Sequence, residues 1–227
     1  MKLRAFDWSF LIAGWLVQVI VFWLAPAHPL SLVSGLLGIT SVILCSQGNI
    51  LTFFFGFGQI ITYTYLCWLE RFYAGIAMNA FYFVSQIYGI YAWRRLIRTA
   101  QQSPSELQSA SADDSSSLIV PRNIPLPVFA LIIVAMAAVA ALAGWLLARY
   151  TDDSQPYIDA LTTTVSVVAQ IMLVMAIRQQ WWLWLFVDVL FVVMWIIAGN
   201  GCMVAQYIFW CANCIYGLIR WQSLVRA

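Results

Sequence analysis

Residues 87–93 read Ile87-Tyr88-Gly89-Ile90-Tyr91-Ala92-Trp93, and residues 215–221 read Ile215-Tyr216-Gly217-Leu218-Ile219-Arg220-Trp221. The two heptads lie 128 positions apart and agree at four of seven. At the same spacing Tyr82 corresponds to Trp210, Ser85 to Asn213, and Phe53-x-x-Gly56 to Trp181-x-x-Trp184. The chain is therefore read as carrying an internal duplication, and the apolar segments around these motifs repeat in the same order.

Composition gives the solvent. Of 227 residues, 63% are hydrophobic and 9% charged, where soluble domains run near ~45–50% and ~25%. The mean hydropathy is +0.87, with 12 Trp, 14 Phe and 10 Tyr. A water-facing surface of that makeup would be one continuous apolar patch and would aggregate. At ~20 residues per crossing, the length allows about eight membrane helices. The fold class read from this is an all-α polytopic membrane protein with the lipid bilayer as its environment.

The net charge of +2 and the lack of a basic tract exclude a nucleic-acid partner. The five cysteines lie in or beside apolar segments, so no secreted disulfide framework is expected. Cys211-x-x-Cys214 sits in mid-segment without a second ligand pair. It reads first as small packing residues and only second as a redox or metal motif.

Eight apolar segments run roughly over 8–25, 30–46, 50–68, 71–97, 125–149, 157–177, 180–198 and 203–223. The first ends near Ala25-Pro26-Ala27, a pattern like a signal-peptide cleavage site, and is expected to be retained as a helix. The second, rich in Gly, Ser and Thr, needs protein on most sides. Segments two to four recur as segments six to eight. Each set has three crossings, an odd number, and the fifth segment carries the chain back across. The repeats are then parallel, related by a pseudo-two-fold axis along the membrane normal, as in transporters that hold a substrate between repeats near the midplane.

This predicts a division into 1–29 (an N-terminal extra helix), 30–98 (a three-helix bundle), 99–124 (a cytoplasmic loop), 125–150 (a linking helix) and 151–227 (a second three-helix bundle). Within the loop, residues 101–117 hold seven Ser and three acids and are expected to be flexible. With eight crossings, Lys2, Arg4, Arg94, Arg95, Arg98, Arg122, Arg178, Arg220 and Arg226 share one side, against Arg71 and Arg149 on the other. Nine against two places the N- and C-termini in the cytoplasm.

An ionisable side chain at mid-membrane costs about 2.5–3.5 kcal/mol on the insertion scale. Asp188 lies about 12 Å into its helix at 1.5 Å per residue and shares a face with Trp181 and Trp184. A carboxylate below two indoles suits a cationic or hydroxyl-bearing ligand; the plainer reading is a buried Asp that holds a neighbouring helix. Asp159, Thr163, Ser166 and Gln170 form a polar stripe, explained equally by a solvated path or by adhesion between helices. Asn79, Tyr82 and Gln86 on one segment match Gln206, Trp210 and Asn213 on its counterpart. Amides hydrogen-bond a carboxamide or ribose hydroxyls, and flat rings hold a heteroaromatic ring, more strongly when it is cationic. Aromatic stripes alone are more often core or lipid belt. The paired amides make Asn79, Tyr82, Gln86, Trp210 and Asn213 candidates here.

His28 is the sole histidine, and HExxH, GxSxG and GxxxxGK[ST] do not occur. Gly56-Phe57-Gly58 lacks the third glycine of a dinucleotide fingerprint. No enzyme activity, metal or cofactor is expected. One mid-membrane Asp is thin machinery for an ion-coupled pump, which favours passive transport.

Gln180-Trp181-Trp182-Leu183-Trp184-Leu185-Phe186-Val187-Asp188 resembles the tryptophan signature of the PnuC family of bacterial vitamin transporters, with Gln180 where the family usually has Asn. The resemblance spans about 30–225 and includes Gly75-Ile76-Ala77-Met78-Asn79-Ala80-Phe81-Tyr82 and both IYGxxxW endings. It implies a fold like that of the SWEET sugar transporters and uptake of nicotinamide riboside, an NAD precursor, by facilitated diffusion across the bacterial inner membrane. It further implies a cytosolic kinase that phosphorylates and traps the riboside, a homotrimeric assembly, and Trp181, Trp184 and Asp188 near the substrate. Relatives that carry thiamine or riboflavin keep those substrates open. A membrane accessory subunit is the alternative from another class.

Overall fold

The structure is a computed structural model that describes residues 5–24, 28–69, 73–102, 119, 121–150, 156–197 and 201–226. The described residues form eight helices: α1 (Ala5–Leu24), α2 (Pro29–Ser46), α3 (Leu51–Leu69), α4 (Tyr73–Gln102), α5 (Leu126–Tyr150), α6 (Pro156–Val174), α7 (Gln180–Ile197) and α8 (Gly201–Arg226). Each expected apolar segment is a helix. Four of them, α1, α2, α5 and α6, are long and apolar enough to cross a membrane. The Ser-rich stretch expected to be flexible lies outside the described residues from 103 to 117, while Gln101 and Gln102 close α4.

Among the boundaries that differ from the expected ones, two have clear physical reasons. α4 runs on past 97 because Arg94, Arg95 and Arg98 are exposed and good helix formers. α6 stops at Val174 although the apolar run continues to 177. It ends in a Schellman turn, with Ala176 N donating to Leu173 O at 2.9 Å and Ile177 N to Met172 O at 2.8 Å. α2 ends in the same turn: Gly48 N donates to Cys45 O at 2.9 Å and Asn49 N to Leu44 O at 2.9 Å. The left-handed residue is Gly48 (φ 65°) in one turn and Ala176 (φ 53°) in the other. Those two positions are again 128 apart, but only the first announces itself by glycine.

The helices pack in a closed circuit. α2 contacts α3, α3 contacts α4, α4 contacts α6, α6 contacts α7, α7 contacts α8, and α8 returns to α2. α1 lies against α2 and α8, and α5 lies against α6. α2 is half buried over its apolar window, the most of the four membrane candidates, as its small residues suggest, and α5 is the least buried.

The 128-residue spacing reappears as contacts. The Phe53 ring rests on Gly89, and the Trp181 indole rests on Gly217, where an added Cβ would meet three ring carbons at 2.5–2.7 Å. Only a residue without a side chain lets either ring approach that closely. Phe53 meets Trp93 edge-on at 4.8 Å between centroids, and Trp181 meets Trp221 edge-on at 5.5 Å. Trp93 and Trp221 are fully buried and face each other at 6.4 Å. These rings, with Cys45, Ile119, Ala176 and Cys214, form one apolar cluster.

Candidate substrate site

Two seams join α2–α4 to α6–α8, and they match at three levels. At the α4/α6 seam, the Tyr82 phenol has Ser166 as hydrogen-bond partner, Gln170 Nε2 donates to Ser85 Oγ at 2.8 Å, and Trp93 Nε1 donates to Leu173 O at 3.3 Å. At the α2/α8 seam, Trp210 lies on Gly38, 3.5 Å from where a Cβ would stand. Asn213 Nδ2 donates to Val42 O at 3.2 Å, and Trp221 Nε1 donates to Ser46 O at 3.1 Å. Ser166 and Gln170 thus hold α6 to α4, whereas Asp159 and Thr163 of the same stripe are exposed.

Asp188 is buried at 3% exposure on α7. Cys214 Sγ donates to its Oδ2 at 3.5 Å from α8. The Asp188 carboxylate is also within electrostatic reach of the Tyr82 phenol. Tyr82 and Trp184 approach with ring centroids 6.5 Å apart. The structure therefore brings Asp188, Trp184 and Tyr82 together where α7 faces α4 and α6. The two cysteines of the CxxC are free thiols, and no group of three metal-ligating side chains occurs among the described residues.

The other candidates are distributed around the circuit. Trp181 is buried in the apolar cluster with Gly217 and Trp221. Gln86 occupies the space beside Gly56, with the Ser41 hydroxyl next to it. At the repeat spacing Gly56 corresponds to Trp184 and Gln86 to Cys214. The small and large residues of these two pairs are thus exchanged between the halves. Trp210 stacks edge-on against Tyr207 at 5.1 Å, and Tyr207 stacks on Phe191 at 4.9 Å. Asn79 lies apart from these rings, in an apolar groove of about 460 Å³ between α3 and α4 lined also by Ile60, Thr64 and Phe83.

Several polar atoms of these candidates are buried without a hydrogen-bond partner: Trp184 Nε1, Trp210 Nε1, Asn213 Oδ1 and, in the α3–α4 groove, Asn79 Nδ2. Such orphans are rare in folded proteins, and each calls for a reason.

Sequence reasoning missed Gln59, whose side chain lies 3.3 Å from a Cβ position at Gly38, beside Trp210. Its signal was a lone amide in an otherwise apolar run. It also missed the polar knot of α1, where Gln47 Nε2 donates to Asp7 Oδ1 at 2.7 Å and Tyr216 Oη to the same oxygen at 2.5 Å.

Comparison with known proteins places the chain in one family. The family model described as nicotinamide mononucleotide transporter covers residues 28–223. The nicotinamide riboside transporter PnuC of Neisseria mucosa is 27% identical over 231 residues, covering 96% of this chain and 83% of that one. The Haemophilus influenzae protein of the same name is 28% identical over 215 residues, covering 93% and 87%. A crystal structure of the vitamin B3 transporter PnuC superposes with a TM-score of 0.81 at 23% identity, covering 99% of this chain and 94% of that one. The chain belongs to the nicotinamide mononucleotide transporter family, the PnuC family of multi-pass membrane transporters, and is not an enzyme.

Proposed function

We propose that this protein carries nicotinamide riboside into the bacterial cell by facilitated diffusion, with a cytosolic kinase trapping the riboside as its phosphate. The observation that carries the reading is the meeting of Asp188, Trp184 and Tyr82 across α7 and α4, in a chain whose relatives bear the name nicotinamide riboside transporter. The riboside has a cationic aromatic ring, a carboxamide and ribose hydroxyls. Trp184 and Tyr82 supply faces for the ring, attractive because it is cationic. Asp188 supplies the opposite charge in a site of low polarity. Asn213 Oδ1 and the indole N–H groups of Trp184 and Trp210 are free to bond the carboxamide and hydroxyls, with Gln86 and Asn79 further along α4. Trp181 serves the site from behind, fixing α7 against α8 through Gly217.

In this reading all eight helices cross the membrane, both termini are cytoplasmic by the distribution of Lys and Arg, and α5 links two parallel three-helix bundles. The bundles rock about the two seams to expose the site to each side in turn. Phosphorylation takes the riboside out of the transport equilibrium, so net uptake needs no coupling ion. Three such subunits assemble, as the family resemblance implies.

The test is calorimetry on purified protein with nicotinamide riboside, thiamine, riboflavin and nicotinamide mononucleotide, followed by uptake into liposomes without ATP or an ion gradient. Binding and saturable uptake of the riboside alone support the reading. Thiamine or riboflavin binding in its place would keep the transporter and change its cargo. Loss of riboside binding in Asp188→Asn would assign the carboxylate to the cation; unchanged binding would leave Asp188 to the Cys214 contact alone.

A further inference from the structure

The connection from α4 to α5 holds a feature that the transport reading does not use. Ile119 lies between two helices, yet it is 2% exposed and belongs to the apolar cluster of Phe53, Trp93, Trp181 and Trp221. It rests on the α2–α3 turn: a Cβ at Gly48 would stand 2.8 Å from Ile119 Cγ1 and 3.6 Å from its carbonyl oxygen. A few residues on, the chain is stitched to the α6–α7 turn. Arg122 N donates to Ala176 O at 2.7 Å, and Arg178 N donates to Arg122 O at 2.9 Å. Gln179 Nε2 donates to Asn123 Oδ1 at 2.6 Å and to Ile124 O at 2.7 Å. Gly48 and Ala176 are the matching left-handed residues of the two matching turns, so this segment spans from one repeat to the other at the end where Trp93 meets Trp221.

The two attachments differ in kind. On the α6–α7 side there are directed hydrogen bonds, two of them from backbone to backbone, which hold the segment in one place. On the α2–α3 side the contact of Ile119 on Gly48 is nonpolar and undirected, and it breaks without leaving a polar group unpaired. When the two turns separate, the segment stays with α6–α7, and the Ile119–Gly48 contact is the one that parts.

We propose that Ile119, carried on residues 121–124, is the latch of the gate at this end of the transporter. The latch rests on the transport reading for its purpose, since that reading makes this end cytoplasmic and the exit for substrate. Residues 121–124 are then a moving part anchored to one half, and the buried Ile119 side chain sets how often the exit opens. The glycine at 48 is required twice, for its positive φ and for the space Ile119 fills.

Cys45 reports on the latch, because it is buried in the same cluster and reacts only when that cluster opens. The experiment uses the full chain in inside-out and right-side-out membrane vesicles, with a membrane-impermeant maleimide and peptide mass spectrometry at Cys45. Ile119→Ala should raise Cys45 alkylation about tenfold from the cytoplasmic face alone, the scale of a modest population shift. Gly48→Ala, which pushes on the same contact from the other side, should do likewise. Riboside exchange across liposomes should accelerate in both, with the affinity within about twofold of the parent. Cys45 alkylation at the parent rate in both variants overturns the latch, and so does an equal rise from both faces, which is general loosening. Absence of riboside exchange in the parent would overturn the proposed cargo but not the latch, which the alkylation reads independently.

Discussion

The contact between Trp181 and Gly217 fixes α7 against α8, and it is sensitive to a single methyl group. Gly217→Ala places a Cβ 2.5, 2.6 and 2.7 Å from three indole carbons, where about 3.5–4.0 Å is the favourable separation. The ring must retreat by about 1 Å, and Trp221 stands edge-on behind it at 5.5 Å. Overpacking of this kind costs about 1–3 kcal/mol. For a chain of this size each kcal/mol moves the melting temperature by about 2–4 °C, so a loss of roughly 6 °C is expected for the middle of that range. Thermal unfolding in detergent, followed by tryptophan fluorescence, measures it. Gly217→Ala combined with Trp181→Phe should recover most of the loss, because the smaller ring leaves space for the methyl, as Phe53 is itself a single ring where Trp181 is an indole. The reasoning fails if Gly217→Ala melts with the parent, or if the double variant is no better than the single one.

Three further outcomes are expected. Trp184→Ala should weaken riboside binding by about 1–3 kcal/mol, taking base–aromatic stacking as the guide, which is roughly 5- to 150-fold by calorimetry; unchanged binding by a folded variant removes the indole from the site. Gln180 is fully buried with neither amide atom partnered, so Gln180→Met should keep the shape and raise stability by about 1–2 kcal/mol, and a lower melting temperature would show that the amide is used. Asp7→Leu strips the shared acceptor from Gln47 and Tyr216 and should cost about 3–6 kcal/mol for two hydrogen bonds to a carboxylate, whereas Asp7→Asn, which keeps an acceptor oxygen, should cost less than half of that; equal losses would mean the knot depends on charge and not on acceptor geometry.

The eight helices were legible because a membrane helix is a run of about 20 apolar residues, and here charges, prolines and polar clusters interrupt the runs. The 128-residue repeat was legible because close aromatic packing demands glycine, and Gly89 and Gly217 hold Phe53 and Trp181 at equivalent places. The end of α6 was not, because a Schellman turn is normally marked by glycine and here the left-handed residue is Ala176. Asp188 and Trp184 were proposed from depth, helix face and the tryptophan signature, and the structure places both on α7 with Asp188 buried. Their meeting with Tyr82 depends on α4 packing against α6, a pairing that no spacing encodes. Asn79 shares its helix with Tyr82 but lines the α3–α4 groove, since three residues along a helix do not leave two side chains on the same spot. Ile119 and Asp7 were invisible for the opposite reason: each is single, and its partners lie far away in sequence.

The contact circuit also bears on what breaks the symmetry of the two halves. α1 lies on α2 as α5 lies on α6, and α2 and α6 occupy corresponding places, so the helix that stood outside the repeat in the sequence sits where the linking helix sits in the other half. The correspondence then stops. α1 reaches across to α8 as well, and Asp7 ties Gln47 of the α2–α3 turn to Tyr216 of α8. Tyr88, the residue matching Tyr216, is 59% exposed, and α5 makes no such bridge to α4. Among the described residues, three matched contacts hold each seam, and at the α2/α8 seam the buried Asp7 carboxylate also bonds to both sides. Two seams of equal strength would part with equal ease. With the extra clamp, the α4/α6 seam is the weaker one, and it is the seam on which Tyr82 faces Trp184 and Asp188. The Tyr82–Trp184 pair thus stands at the joint with fewer bonds to break, opposite the joint that Asp7 of α1 braces.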